Sequence, residues 1–131
     1  MPITKQLSVF MENKPGRLSG ICSTLGDAGV NIHAMSVHDT VDHAIVRLVV
    51  DNPTKALLLL EEEGVYIVTQ DVVVLEIENK PGIISAIAKK LFHADTNIEY
   101  AYCTATKNQD FGCLVLKTKD AEQTLEILEE F

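Results

Sequence analysis

The chain carries one pattern twice, and that repetition limits what it can fold into more than any other feature. Glu12-Asn13-Lys14-Pro15-Gly16 returns as Glu78-Asn79-Lys80-Pro81-Gly82. In the same register Ser19 matches Ser85, Ile21 matches Ile87, Leu25 matches Leu91, Ala28 matches Ala94, and Asn31-Ile32 matches Asn97-Ile98. The second copy then gains two residues in its central turn, after which Asp42 pairs with Asp110, Leu57 with Leu125, and Leu60-Glu61-Glu62 with Leu128-Glu129-Glu130. Residues 1–70 hold the first copy and residues 71–131 the second.

Each copy reads as strand, helix, strand, strand, helix, strand. Leu7, Val9 and Met11 alternate with residues that face the other way, as in a half-buried strand. Pro15-Gly16 stops that strand, and Leu18, Ile21, Cys22 and Leu25 follow at helical spacing up to Gly29, a natural helix end. Strands are expected at Val30–Val37 and Ala44–Val50 around the polar turn 38–43. Asn52-Pro53 opens a second helix, Gly64 ends it, and a fourth strand is expected at Tyr66–Thr69. In the second copy Val73, Leu75 and Ile77 form the core side of the first strand. Ile84, Ile87, Ala88 and Leu91 line its first helix, and Ala121, Thr124, Leu125 and Leu128 its second. The chain ends at Phe131 before a fourth strand, so this copy is expected to leave an edge open or to take a strand from elsewhere. The order predicts an α+β fold: two ferredoxin-like βαββαβ units in tandem, each an antiparallel sheet with its helices on one face. Phe10, Val72 and Val74 are apolar yet point away from the helix side. A covered back face is therefore expected, from the paired copies or from a homodimer.

Composition excludes several classes of function. The 131 residues are 47% hydrophobic and 23% charged, as a globular chain with a core requires. The net charge of −8 and the lack of any basic tract argue against nucleic acid and anionic membrane surfaces as partners. No apolar run is long enough to span a bilayer and residues 1–10 lack a signal-peptide core, so a cytoplasmic location is expected. Cys22, Cys103 and Cys113 match no zinc spacing and read as small buried hydrophobes. No cofactor fingerprint, phosphate-binding glycine loop or nucleophile–base arrangement is present, so neither catalysis nor a cofactor is expected.

The repeated loop is where chemistry is expected. Asn13 to Leu18 joins a strand to the start of a helix, where unpaired N–H groups and the positive helix end suit a carboxylate. Gly16 and Gly82 allow close approach to the backbone. Asn13 and Asn79 offer donor and acceptor together, the mixture an amino acid needs. The same Asn can instead simply hold a tight turn.

Asn-Lys-Pro-Gly, the helical stripe behind it and then Val30-Asn31-Ile32, repeated with Thr96-Asn97-Ile98, resembles the ACT domain family over almost the whole chain. The resemblance implies a non-catalytic regulatory module that binds an amino acid or similar metabolite at interfaces between paired domains. It implies Asn13 and Asn79 as loop ligands, and backbone N–H groups near Gly16, Arg17 and Leu18, and near Gly82, Ile83 and Ile84, for the carboxylate. Asn31 and Asn97 would reach in from the opposite domain, Asn97 to the site of Asn13 and Asn31 to that of Asn79. Arg17 is replaced by Ile83 and His33 by Glu99, so the two sites are expected to differ. Met11 and Ile77, two positions before the loop Asn, are apolar and argue against a serine-type ligand. A homodimer and a partner enzyme or transporter acting in trans are the expected assemblies.

Rival readings attach to other residues. A fold that has lost its ligand would serve as a protein-protein interaction module. His33, His38 and His43, with Asp39 and Asp42, could form a metal sensor, although the spacing matches no tight pair. Cys103 and Cys113 flank one hairpin and could form a redox pair. Tyr100 and Tyr102 suit an interface. Leu57-Leu58-Leu59-Leu60 is apolar on all sides of its helix, and Glu61-Glu62-Glu63 and Glu129-Glu130 read as solvated helix ends.

Overall fold

The computed structural model describes residues 2–129. Met1, Glu130 and Phe131 lie outside the described residues, and with them the expectation of a solvated end at Glu130. Six strands and four helices follow one another as β1 (Ile3–Glu12), α1 (Arg17–Asp27), β2 (Ile32–Asp39), β3 (His43–Val50), α2 (Pro53–Glu62), β4 (Tyr66–Glu78), α3 (Ile83–His93), β5 (Tyr100–Thr104), β6 (Phe111–Lys117) and α4 (Ala121–Ile127). They form two compact units, one of residues 5–70 and one of residues 2–4 with 71–129.

In the unit of residues 5–70 the strand order is β2-β3-β1-β4. Antiparallel pairing sets Leu7 beside Leu48, Val9 beside Val46 and Met11 beside Ala44, all on one face. That face and the buried Ile21, Leu25, Ala56 and Leu60 of the two helices make one core, with Leu18, Ile32, Leu57, Leu59 and Val65 packed around it. Only one flank of α2 is buried, because Leu58 is 60% exposed. Asn52 caps α2 by accepting the Lys55 N–H at 3.2 Å, and Lys55 Nζ reaches the Ala28 carbonyl at the far end of α1, at 2.6 Å. The opposite sheet face is part polar. Gln6 and Ser8 are buried there, with Gln6 Nε2 donating to Ser8 Oγ and Ser8 Oγ to Gln70 Oε1. Phe10 is half-buried, its ring 5.4 Å from that of Tyr66.

In the other unit the order is β1-β4-β6-β5. Val73, Leu75 and Ile77 pair with Leu116, Leu114 and Gly112. Their face packs with Ile87, Leu91 and Leu128 in a second core. The helix stripe is narrower than its spacing predicts. Ile84 and Ala88 are exposed, and Ile83 packs on the core instead. The second-strand region is also shorter: β5 begins at Tyr100, leaving Asn97 and Ile98 in the preceding loop.

Two segments expected as separate strands are one. β4 runs for 13 residues through Thr69-Gln70-Asp71, because no Gly or Pro interrupts its β-branched residues. The fourth-strand place of the second unit is filled from the other end of the chain. The Val74 N–H donates to the Pro2 carbonyl at 2.6 Å, and Ile3 packs against the second core. The edge of β4 in this unit is thus met by the first residues of β1.

Candidate functional site

Both strand-to-helix loops are built alike. The strand ends at Glu12 or Glu78, the Pro follows, and a glycine turns the chain into the helix. Gly16 has φ of 87° and Gly82 of 90°, the left-handed region where a side chain is strained. The Arg17 N–H turns back to the Lys14 carbonyl at 3.3 Å and the Ile83 N–H to the Lys80 carbonyl at 3.4 Å. The first regular helical bonds are Gly20 to Gly16 and Ala86 to Gly82. The N–H groups of Leu18 and Ser19, and of Ile84 and Ser85, are therefore the ones a first helical turn directs outward. Glu12 lies 2.7 Å from Lys14 and 3.4 Å from Arg17, and Glu78 lies 3.2 Å from Lys80. The hydrogen bond from Lys14, and then the charges of Lys14 and Arg17, hold the Glu12 carboxyl below the ordinary glutamate value.

The two loop asparagines clip their hairpins. Asn13 Nδ2 donates to Asp39 Oδ1, and the Asn13 N–H to the Asp42 carbonyl at 3.3 Å. Asn79 Nδ2 donates to the carbonyls of Thr106 and Gln109 at 2.7 and 2.8 Å, and the Asn79 N–H to that of Asp110. Both amide groups thus fasten a loop to the turn beside it, which leaves the amide oxygens as the side-chain atoms for other partners. Asn31 and Asn97 lie at the other ends of their sheets. Glu12 pairs with His43 at the start of β3, whereas Ile32 pairs with Val50 at its end, roughly 20 Å away at strand rise. Asn31 sits next to Asp51, whose Oδ1 accepts its N–H at 3.0 Å. Glu78 likewise pairs with Phe111 at the start of β6, and Glu99, close after Asn97, donates its N–H to Lys117 at the end. Within a unit, then, the loop Asn and the second-strand Asn do not meet.

In the unit of residues 5–70 the loop borders two adjoining hollows. One, of about 280 Å³, is lined by Met11, Gly16, Arg17, Gly20, Ile21, Thr24, Glu63 and Val65. The other, of about 400 Å³, shares Met11, Arg17, Glu63 and Val65 and adds Phe10, His43 and Tyr66. Their walls come from the end of β1, the first two turns of α1 and the stretch after α2. Thr24 Oγ1 stands 2.6 Å from Glu63 Oε1. Of these residues, the repeat comparison singles out Arg17. Gly20, Thr24, Glu63 and Val65 carry no local signal, because only the return of α2 beside α1 brings them together.

The remaining candidates separate. Thr104 pairs with Cys113 and Cys103 with Leu114, so the two cysteines point to opposite faces of the hairpin and cannot form the considered redox pair. Burial raises the Cys113 thiol pKa, with Cys103 adding to it. Among the described residues no group of three or more His, Cys, Asp and Glu comes together, so the histidines of residues 33–43 do not form a cluster with their aspartates. Tyr100 and Tyr102 are half-buried on β5. Among the described residues no helix is long and apolar enough to cross a membrane.

A family model described as an ACT domain pair matches residues 1–130. No curated protein matches the chain in sequence. Among solved structures, protein BT0572 from Bacteroides thetaiotaomicron is similar at TM-score 0.90 and 29% identity, over 98% of this chain and 88% of that one. The ligand-free regulatory subunit of aspartate kinase from Thermus thermophilus shares the fold at TM-score 0.73 and 16% identity, over 99% and 97%. The corresponding subunit from Thermus flavus does so at 0.66 and 16%, over 99% and 96%.

Proposed function

Because the chain belongs to the ACT domain pair family, we propose that it is a regulatory protein that binds a free amino acid and passes the binding event to a partner. The observation that carries this reading is the hollow of about 280 Å³ at the start of α1. Its volume lies just below the roughly 300–1,000 Å³ of pockets for drug-sized ligands, which suits a metabolite of amino-acid size. A helix N-terminus and a guanidinium beside it suit a carboxylate, and the buried or half-buried Met11, Ile21 and Val65 suit an apolar side chain. In this reading Asn13, in the same loop, offers its amide oxygen, and the Gly16 turn keeps side-chain bulk away from the hollow. The second-copy residues Asn79, Gly82, Ile83 and Ile84, and the distant Asn31 and Asn97, belong to the same proposal as the weaker half of the site set. Regulation requires that the amino acid prefer one of two states of the protein, and the signal is then the shift between them.

The test is thermal unfolding with each common amino acid at millimolar concentration. A ligand that binds only the folded chain raises the midpoint, with about 2.7 kcal/mol of stabilisation at a hundredfold excess over its dissociation constant. A selective rise for one amino acid or a related group is expected. A flat response across the panel overturns amino-acid binding and favours an interaction module instead.

A further inference from the structure

On the sheet face away from the helices the two copies part at one cross-strand pair. In the first copy Phe10 of β1 stands beside Ile45 of β3. In the second copy the same register sets Glu76 of β4 beside Cys113 of β6. Two large apolar side chains are thus replaced by a carboxylate and a thiol. Cys113, smaller than Ile45, leaves space over the sheet, and a hollow of about 360 Å³ opens there. That volume falls within the roughly 300–1,000 Å³ of ligand pockets.

The walls of the hollow are apolar and its rim is fixed. Val74 and Phe111 share a face with Glu76 and Cys113, because each lies two positions away on its own strand. Phe111 is 51% exposed, so its ring is open to a partner. Thr104 of β5, opposite Cys113, and Gln109 of the turn before β6 complete the lining. Asn79 holds that turn through the carbonyls of Thr106 and Gln109. Gly112 lets the end of β5 come close, since a Cβ there would run into the Thr104 carbonyl, whereas the first copy carries Ala44 at the matching place. A rim already held in place lowers the ordering cost of binding.

The charge of the hollow is negative. Glu76 is exposed, and among the described residues no Lys, Arg or His lines the space beside it. Burial raises the Cys113 thiol pKa, which keeps that group neutral at neutral pH. The net charge of −8 draws cations toward the chain. An ammonium finds a counter-charge here and a carboxylate finds none. We infer that this hollow is a ligand site of the second unit for a small primary amine with a hydrocarbon body and no carboxylate. The ammonium lies against Glu76, and the body lies over Val74 and Phe111. The site is separate from the loop of the first unit and does not rest on the amino-acid reading given to it.

Titration of isotope-labelled protein with phenethylamine, followed by backbone amide shifts, tests the inference. L-Phenylalanine and 3-phenylpropionate carry the same ring with a carboxylate added or in place of the amine. Saturable shifts at Thr104, Gly112 and Cys113 are expected with millimolar phenethylamine, and binding at these amides about threefold weaker or more for the other two. Glu76→Gln should weaken the amine by a similar factor. Cys113→Ile, which restores the residue of the first copy, should fill the hollow and abolish the shifts at Thr104 and Gly112. Circular dichroism and the unfolding midpoint show whether both variants are folded, and the comparison of the three ligands on the unaltered chain needs neither. No shift at these amides, or an equal response to all three ligands, overturns the inference. So does undiminished binding in folded Cys113→Ile.

Discussion

Gly16 and Gly82 show what a single residue contributes here. Each has positive φ, and the space where a Cβ would stand is empty. An alanine therefore meets no clash and pays backbone strain alone. Gly16→Ala and Gly82→Ala should each lower stability by roughly 1–2 kcal/mol in urea unfolding, and by similar amounts. Equal stability to the parent would mean that the loops relax out of this conformation. Residues differ in how readily their roles are read. The glycines are legible because Pro-Gly between two periodic segments has a mechanism. Arg17 is legible as the place where the copies part. Glu63 is not: in sequence it is one of three glutamates at a helix end, and only the packing of α2 beside α1 turns it toward a hollow. Asn13 and Asn79 stand out as a repeated pair, but their amide groups clip hairpins through acceptors far along the chain, the Asp39 carboxylate and the Thr106 and Gln109 carbonyls.

At the level of elements, helices and core strands follow from period and caps. Asn52 and Asp120 cap α2 and α4 through the N–H groups of Lys55 and Gln123. The residues of β1 and β3 that enter the helix-side core fall at every second position, as their apolar pattern does. What periodicity cannot supply is the partner of a strand edge, since pairing depends on which segments meet, and that is a long-range matter. Residues 2–4 belong with residues 71–129 on no local signal. Deleting residues 1–4 should therefore act on the second unit. Amide exchange at Val74 should accelerate markedly, since its N–H loses the Pro2 carbonyl, while the amides of Leu25 and Leu60 in the first core stay protected. Unchanged exchange at Val74 would show that these residues do not close the edge.

For the whole molecule, the doubled sequence specifies two cores with separate memberships. It also carries a net charge of −8, so the folded chain repels itself. Raising sodium chloride from low to physiological concentration at neutral pH should screen this and raise the ligand-free unfolding midpoint by about 2–4 °C. A fall would mean that the exposed ion pairs, such as Glu12 with Lys14, outweigh the net repulsion. The doubling itself was readable from identities. The sequence also shows where the copies part, at Arg17 against Ile83, whereas what surrounds each of these residues needs the fold. The place of residues 2–4 has a consequence in sequence distance. The bond from the Val74 N–H to the Pro2 carbonyl closes a loop that runs through the whole of the first unit, so its closure entropy must be met before the contact returns any stability, and the second unit gains this edge only after its local contacts have formed.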